Sequence, residues 1–184
     1  MKQDRAKWNE KYSAKTPDRV IPPIVRDHVG RALKGRALDI ACGVGAVSLF
    51  LAKKGFVVDA VDISDTALAG FSKQHPHIHA ICADLDTFDL AAARYSLVTN
   101  IRYLNRRLFP QILDTLLPGG MLIFETFLKS KKKEMDKDFK REYLLDEKEL
   151  LKVFAPLDIL YYRETDSGCN RPPARIASLV GVKP

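Results

Sequence analysis

Residues 37–52, ALDIACGVGAVSLFLA, decide the fold. A short apolar run reaches a glycine turn and then a second apolar run with helical spacing. That is the order of a buried strand, a tight turn and a helix, the opening of a parallel βαβ unit. The turn itself raises a question. Gly43-Val44-Gly45-Ala46-Val47-Ser48 matches the first two glycines of the G-x-G-x-x-G fingerprint, but Ser48 stands where the third belongs. In a dinucleotide site those glycines bring backbone amides and a helix N-terminus up to a pyrophosphate. Asp39, four residues before Gly43, would set a negative charge against that pyrophosphate.

Outward from this unit the chain alternates. RALDIA predicts a strand and AVSLFLAKKG a helix closed by Gly55; FVVDAVDIS is a second strand, and SDTALAGFSKQ a helix with Ser64 as its N-cap. HIHAICAD and YSLVTN are the third and fourth strands, LFPQILDTLL a helix, and PGGMLIFETF a turn and fifth strand. Upstream, PPIVRDHVGRALKG predicts a helix with prolines near its start and Gly35 past its end. Downstream, DEKELLKVF opens with Asp146 and Glu149 in capping-box spacing. PLDILYYRETD and ARIASLVGVKP then follow with no helix between them, so they predict an antiparallel hairpin on one edge of the sheet. The expected fold is α/β: a Rossmann-like, doubly wound, seven-stranded, mostly parallel sheet with an antiparallel C-terminal hairpin and helices on both faces.

The 184 residues fit a single domain, and 46% hydrophobic with 29% charged residues is ordinary globular composition. No apolar run approaches the ~18–20 residues a membrane span needs, and the first fifteen residues hold no apolar signal core. Together with three widely spaced cysteines, Cys42, Cys82 and Cys169, this predicts a cytoplasmic protein with reduced thiols. The net charge of +7 raises a nucleic-acid reading, but segment 129–141, KSKKKEMDKDFKR, concentrates seven cations against three anions. No RNA-recognition or zinc-finger signature accompanies it, so nucleic acid is not the expected partner. The segment, within a basic insertion at 128–145, reads either as a solvated loop or as a lid over an anionic or polar substrate.

Two further acids complete a pattern. Asp62 ends the second strand nineteen residues after Gly43, where a carboxylate accepts hydrogen bonds from ribose hydroxyls. Asp84, in CADLD at the end of the third strand, is placed to accept from an adenine amino group while the Leu85 N–H meets a ring nitrogen. These acids face the crevice at the strand C-terminal ends where open α/β sheets bind ligands. A cationic ligand without phosphate suits such a site, and S-adenosylmethionine, with an ammonium and a sulfonium, is one. Each acid also has a plainer reading: Asp39 fixing the turn, Asp62 capping the next helix, Asp84 a loop acid.

LDIACGVGAVSLFLA, VDAVDIS, ADLD and LLPGGMLIFETF resemble the successive motifs of class I S-adenosylmethionine-dependent methyltransferases, over nearly the whole chain from WNEKYSA to ASLVGVKP. More narrowly, the chain is similar to the small bacterial methyltransferases grouped with the tellurite-resistance methyltransferase. The resemblance implies one methyltransferase domain over 1–184, with 1–34 a helical cap over the cofactor. It implies Asp39, Gly43 and Gly45 as the cofactor loop, Asp62 with Ile63 at the ribose, and Asp84 with Leu85 at the adenine. Asn100 would lie beside the transferable methyl, Tyr103 would assist catalysis, and Trp8 and Tyr12 would fold over the cofactor. Ala46 departs from the larger polar residue that close relatives often carry there. The expected activity is methyl transfer to a small molecule, with a thiol or chalcogen oxyanion as acceptor; the alternatives are an RNA or protein methyltransferase and a nicotinamide oxidoreductase.

Other clusters compete. His75, His77 and His79 alternate, a spacing that on a strand shares one face, but no acidic or thiol partner follows at ligand spacing, so no metal is expected. Arg102, Arg106 and Arg107, with Tyr103, follow the fourth strand either as a solvated basic helix start or as the edge of an acceptor pocket, with Arg175 across the cleft. Glu125 is a further candidate assistant if the acceptor carries a proton. Cys42 reads as a small residue serving the turn rather than a reactive thiol.

Overall fold

The computed structural model describes residues 2–14, 18–130, 140–167 and 174–184. Its centre is one seven-stranded sheet. The strands are β1 (Arg36–Ile40), β2 (Val57–Asp62), β3 (Ile78–Cys82), β4 (Tyr95–Ile101), β5 (Leu116–Leu128), β6 (Asp158–Ser167) and β7 (Ala174–Val182). Their spatial order is β3-β2-β1-β4-β5-β7-β6. The first five are parallel; β7 enters antiparallel between β5 and β6, closing the predicted hairpin. Strand order reverses between β1 and β4, and open α/β sheets bind ligands at such a switch point.

The helices are α1 (Lys2–Ala14), α2 (Pro23–His28), α3 (Ala46–Lys53), α4 (Asp65–Ala69), α5 (Leu108–Thr115) and α6 (Glu149–Val153). Alternate residues of the strands feed two cores. Ala37, Val58, Ala60, Leu97 and Ile123 pack against Val25 of α2, Leu51 of α3 and Leu68 of α4. Leu38, Ile40, Val98, Leu122 and Phe124 pack against Phe109 and Ile112 of α5 and Leu150 of α6. Each fully buried Leu, Ile or Phe contributes about 1.5–3 kcal/mol, so a sheet packed on both faces is held mainly by this burial.

Helices end short of the sequence reading, α4 and α2 most of all. α4 stops at Ala69 because Phe71 turns inward and is fully buried, and the Gly70 carbonyl is taken by Arg19 Nη2 (3.0 Å) and Gln74 Nε2 (2.7 Å). α2 tightens into a 3-10 turn over Val29–Arg31, which contains Gly30. The PGG turn lies within β5: pairing with β4 jumps from Tyr95↔Leu116 to Leu97↔Met121, so residues 117–120 loop out at a bulge where Gly119 has φ 74°. The capping-box expectation holds on one side only, since Glu149 Oε2 accepts from the Asp146 N–H (2.7 Å) while Asp146 pairs with Lys129 instead.

No helix among the described residues is long and apolar enough to cross a membrane.

Candidate functional site

The β1–α3 turn is built on left-handed backbone. Ala41, Gly43 and Gly45 have φ of 52°, 52° and 74°. At Gly45 two demands coincide, because a Cβ there would also lie 2.3 Å from the Phe71 ring. The turn is closed by the Gly45 N–H on the Cys42 carbonyl (3.0 Å), and α3 begins with the Leu49 N–H on the Gly45 carbonyl (2.9 Å). Burial pushes the Cys42 thiol well up, which keeps it protonated and supports the plain structural reading.

Asp39 lies beneath this turn, buried, with both oxygens engaged: Ser48 Oγ donates at 2.6 Å and Thr99 Oγ1 at 2.8 Å. Thr99 is its register partner on β4. Burial raises the Asp39 carboxyl to about 6, against the two hydroxyls that favour the charged form. The two departures from the dinucleotide fingerprint, Asp39 and Ser48, are therefore a single hydrogen-bonded pair that ties the first turn of α3 to β1. Through that tie Asp39 fixes the turn.

Asp62 is the acid beside the turn, at the end of β2. Its Oδ2 accepts from the Gly43 N–H (2.7 Å) and its Oδ1 from the Ser64 N–H (2.9 Å). Burial holds its carboxyl above the usual range, opposed by the N–H groups of Ser64, Gly43 and Ile63. An ionised carboxylate has about four lone-pair sites, so these bonds orient Asp62 and leave it capacity for hydroxyl donors. Ser64 also caps α4 as predicted, accepting from the Ala67 N–H (3.1 Å).

Helix α1 folds over this acid. A Cβ on Gly43 would lie 2.9 Å from the Tyr12 hydroxyl, and Trp8 stacks on Tyr12 at 5.8 Å. Burial, then the negative charge of Asp62, pushes the Tyr12 phenol up to about 12. Sequence reasoning missed the polar latch that holds the helix. Asn9 accepts from Ser64 Oγ (2.6 Å) and donates to Asp65 (2.6 Å), while Arg5 reaches Cys82 Sγ (2.6 Å) and Asp65 (3.4 Å). Within α1 only Trp8, Asn9 and Tyr12, spaced for one face, are half-buried among residues 3–14.

At the third strand end Asp84 starts a turn, its side chain accepting from the Asp86 N–H (3.0 Å), and Leu85 is buried. At the fourth, the buried Asn100 donates to the Tyr103 carbonyl (2.7 Å), fixing the turn that follows β4. Burial pushes the Tyr103 phenol up to about 12; Asn105 opposes this and Asp86, Asp84 and Tyr143 add to it. Tyr103 is thus a neutral hydrogen-bonding group at neutral pH rather than a base.

The arginines after β4 follow neither reading of the sequence in full. Arg106 clamps Glu149 through Nε (2.6 Å) and Nη2 (2.9 Å) and the carbonyls of Glu142 and Leu144 (both 2.9 Å). Arg107 binds Asp89 (2.7 Å) and the carbonyls of Leu85 (2.9 Å) and Phe88 (2.5 Å). These two pin loops. Arg102 pairs with the buried Glu125 (3.2 Å), whose other oxygen accepts from Ser178 Oγ (2.7 Å). Arg175 lies 3.8 Å from both Glu164 and Asp166. His79 reaches the buried Asp59 (3.1 Å), whereas His75 and His77 precede β3 and pack edge to face at 5.3 Å. Asp59 also binds Arg36 (2.6 Å) and Tyr95 (2.9 Å), and these partners lower its carboxyl despite burial. Cys169 and residues 131–139 of the basic segment lie outside the described residues.

Comparison with known proteins agrees with this geometry. Residues 37–120 match the family model for a methyltransferase domain. The ubiquinone biosynthesis O-methyltransferase of Coxiella burnetii is 30% identical over 131 residues, covering 65% of this chain and 56% of that protein. The chain therefore spans about half the length of the relative it matches. Among solved structures, TehB from Haemophilus influenzae superposes with a TM-score of 0.76 at 16% identity, over 96% of this chain and 67% of that one. An S-adenosylmethionine-dependent methyltransferase from Methanosarcina mazei gives 0.69 at 19% identity, over 89% and 98%.

Proposed function

We propose that this chain carries a class I S-adenosylmethionine-dependent methyltransferase domain and transfers the methyl group of that cofactor to a small molecule. The observation that carries the reading is the buried Asp39 carboxylate beneath the glycine turn, held by Ser48 Oγ at 2.6 Å. In a dinucleotide site that turn receives a pyrophosphate; here a phosphate would sit over a carboxylate. An adenosyl ligand that brings ribose hydroxyls and positive charge fits the same donors and acceptors.

When bound, S-adenosylmethionine supplies a methyl group already activated by its sulfonium. The protein's part is to hold and align. Asp62, set by the Gly43 and Ser64 N–H groups, accepts from the ribose; Asp84 and Leu85 receive the adenine. The Asp39–Ser48 tie keeps the glycine turn rigid under the methionine end. Trp8 and Tyr12 close over the ligand and exclude water, with residues 1–34 acting as the cap of one domain. Asn100 fixes the end of β4 beside the reacting centre, and the neutral Tyr103 phenol donates a hydrogen bond to the acceptor. Positioning of this kind provides effective molarities of about 10⁵–10⁸ M in favourable cases.

Glu125, the buried carboxylate on β5 opposite the end of β4, is engaged on both oxygens. A nucleophile that needs no base, a thiolate or an oxyanion, suits such a site. The similarity to a relative named for O-methylation supports the oxyanion. A dissolved acceptor in the cytoplasm completes the reading.

The test is calorimetric titration with S-adenosylmethionine, S-adenosylhomocysteine and NADH in parallel. Binding of the adenosyl ligands, reduced at least about tenfold in Asp62→Ala, with NADH silent, is the expected result. Binding of NADH alone would refute the proposal.

A further inference from the structure

We infer that Arg102 is the residue that recognises the methyl acceptor, through an anionic oxygen held at its Nη1; this rests on the methyltransferase reading above. Arg102 directly follows β4, two residues past Asn100, and Asn100 is the register partner of Ile40 at the end of β1. It therefore stands beside the strand end from which the glycine turn departs. Its backbone is left-handed, φ 60°, as is that of Ala41 (52°) just past the neighbouring β1. Among non-glycine residues such conformations persist where the surroundings impose them, and they cluster at ligand sites.

The side chain is held on two sides. Nη2 lies 3.2 Å from Glu125 Oε1, and the guanidinium carbon sits 5.1 Å from the Phe127 ring centroid. The Arg102 N–H donates to the Glu125 carbonyl (2.7 Å), which locks the backbone as well. Glu125 is in turn fixed by Ser178. What this leaves over is Nη1, a buried terminal nitrogen with no hydrogen-bond partner among the described residues. Buried polar groups in native proteins are nearly always paired, so an orphan asks for its missing acceptor.

The neighbouring arginines show the contrast. Every nitrogen of Arg106 is bound. Arg107 lacks a partner at Nε alone, behind two occupied Nη nitrogens that fasten it to three residues of the loop after β3. Arg102 alone of the three has a terminal nitrogen, with two N–H donors, that no described residue engages. A guanidinium N–H bonds an ionised oxygen about twice as strongly as a neutral one, and the chain's net charge of +7 favours the approach of anions. The class of acceptor is therefore a small molecule carrying a carboxylate or comparable oxyanion.

The experiment uses the full chain saturated with S-adenosylhomocysteine and titrated, by NMR, with benzoate and with its neutral isostere benzamide. Wild type is expected to prefer benzoate by about tenfold or more. Arg102→Gln loses that preference while its S-adenosylhomocysteine affinity stays within about threefold of wild type. Because Arg102→Gln leaves Glu125 buried without its cation, the double variant Arg102→Gln/Glu125→Gln is measured beside it; it keeps a neutral pair and is expected to lose the preference equally. Equal binding of the two probes by wild type, or a benzoate preference that survives either variant, overturns the assignment. Failure of wild type to bind S-adenosylhomocysteine at all is a different result, since it refutes the methyltransferase reading and this inference falls with it.

Discussion

Replacing Ser48 by glycine would complete the G-x-G-x-x-G fingerprint, and the structure says it should damage the protein. Ser48 Oγ donates to Asp39 at 2.6 Å in a fully buried setting. A hydrogen bond to a charged group is worth about 1.5–3 kcal/mol, and glycine in place of serine within a helix adds about 0.5. Loss of about 2–3.5 kcal/mol follows at pH 8, with Ser48→Ala showing the hydroxyl's share alone. The penalty should depend on pH, with a definite sign. The Asp39 carboxyl is raised to about 6 in the fold, above its unfolded value. This group therefore contributes stability that is fully present below pH ~4 and is lost as pH rises through about 6. Removing Ser48 takes away a donor that favours the ionised form and raises that carboxyl further. The deficit of the variant should therefore be larger at pH 8 than at pH 5, where a protonated Asp39 forfeits only a neutral bond of about 1 kcal/mol. Urea unfolding at the two pH values measures it. Equal deficits at both, or a Ser48→Gly protein that binds NADH, would refute the account of the turn.

Three other outcomes are expected. Gly45→Ala forces a φ of 74° on a residue with a Cβ and drives that atom into Phe71, so urea unfolding should show a loss of about 2–4 kcal/mol; a loss below about 1 would mean that the turn relaxes freely. Asn9→Ala cuts the latch between α1 and Ser64–Asp65, so stopped-flow release of S-adenosylhomocysteine should speed up about three- to tenfold while Tm moves little, because α1 buries only one face. An unchanged release rate would show that α1 does not gate the site. Because burial pushes the Tyr103 phenol up to about 12, kcat should show no titration from it between pH 8 and 10; a rise in kcat through pH ~10 that disappears in Tyr103→Phe would make it a base after all.

The strands were legible because each carries its own signal. β1, β2 and β4 are short, mainly apolar runs bounded by turn residues and buried along nearly their whole length, as strands covered on both faces must be. The C-terminal hairpin could be read from the missing crossover helix. Helix ends were less legible, and the reason is tertiary. Nothing in SDTALAGFSKQ says that Phe71 leaves the helix to fill the space Gly45 lacks, or that Arg19, some fifty residues earlier, takes the Gly70 carbonyl. The latch through Asn9 escaped notice for a similar reason, since a polar helix with a lone asparagine carries no periodic signal.

The arginines mark the same boundary at the site. In NIRYLNRRLFPQI all three look equivalent, yet their partners lie 43 residues away for Arg106, 18 for Arg107 and 23 for Arg102. Which cations are spent on loops and which one keeps a free nitrogen is decided by those distant groups. Spacing alone could not separate them. The aspartate before the glycines is the opposite case, in which the sequence held the answer in two pieces. Asp39 and Ser48 are nine residues apart, and in a motif comparison they register as two separate defects of a dinucleotide fingerprint. Physically one requires the other. A carboxylate buried under the turn needs a donor at the position facing it from the first turns of the helix, and a glycine there has none. A chain that keeps Asp39 thus keeps a side chain at 48, and the missing third glycine marks a turn built over a carboxylate instead of around a phosphate.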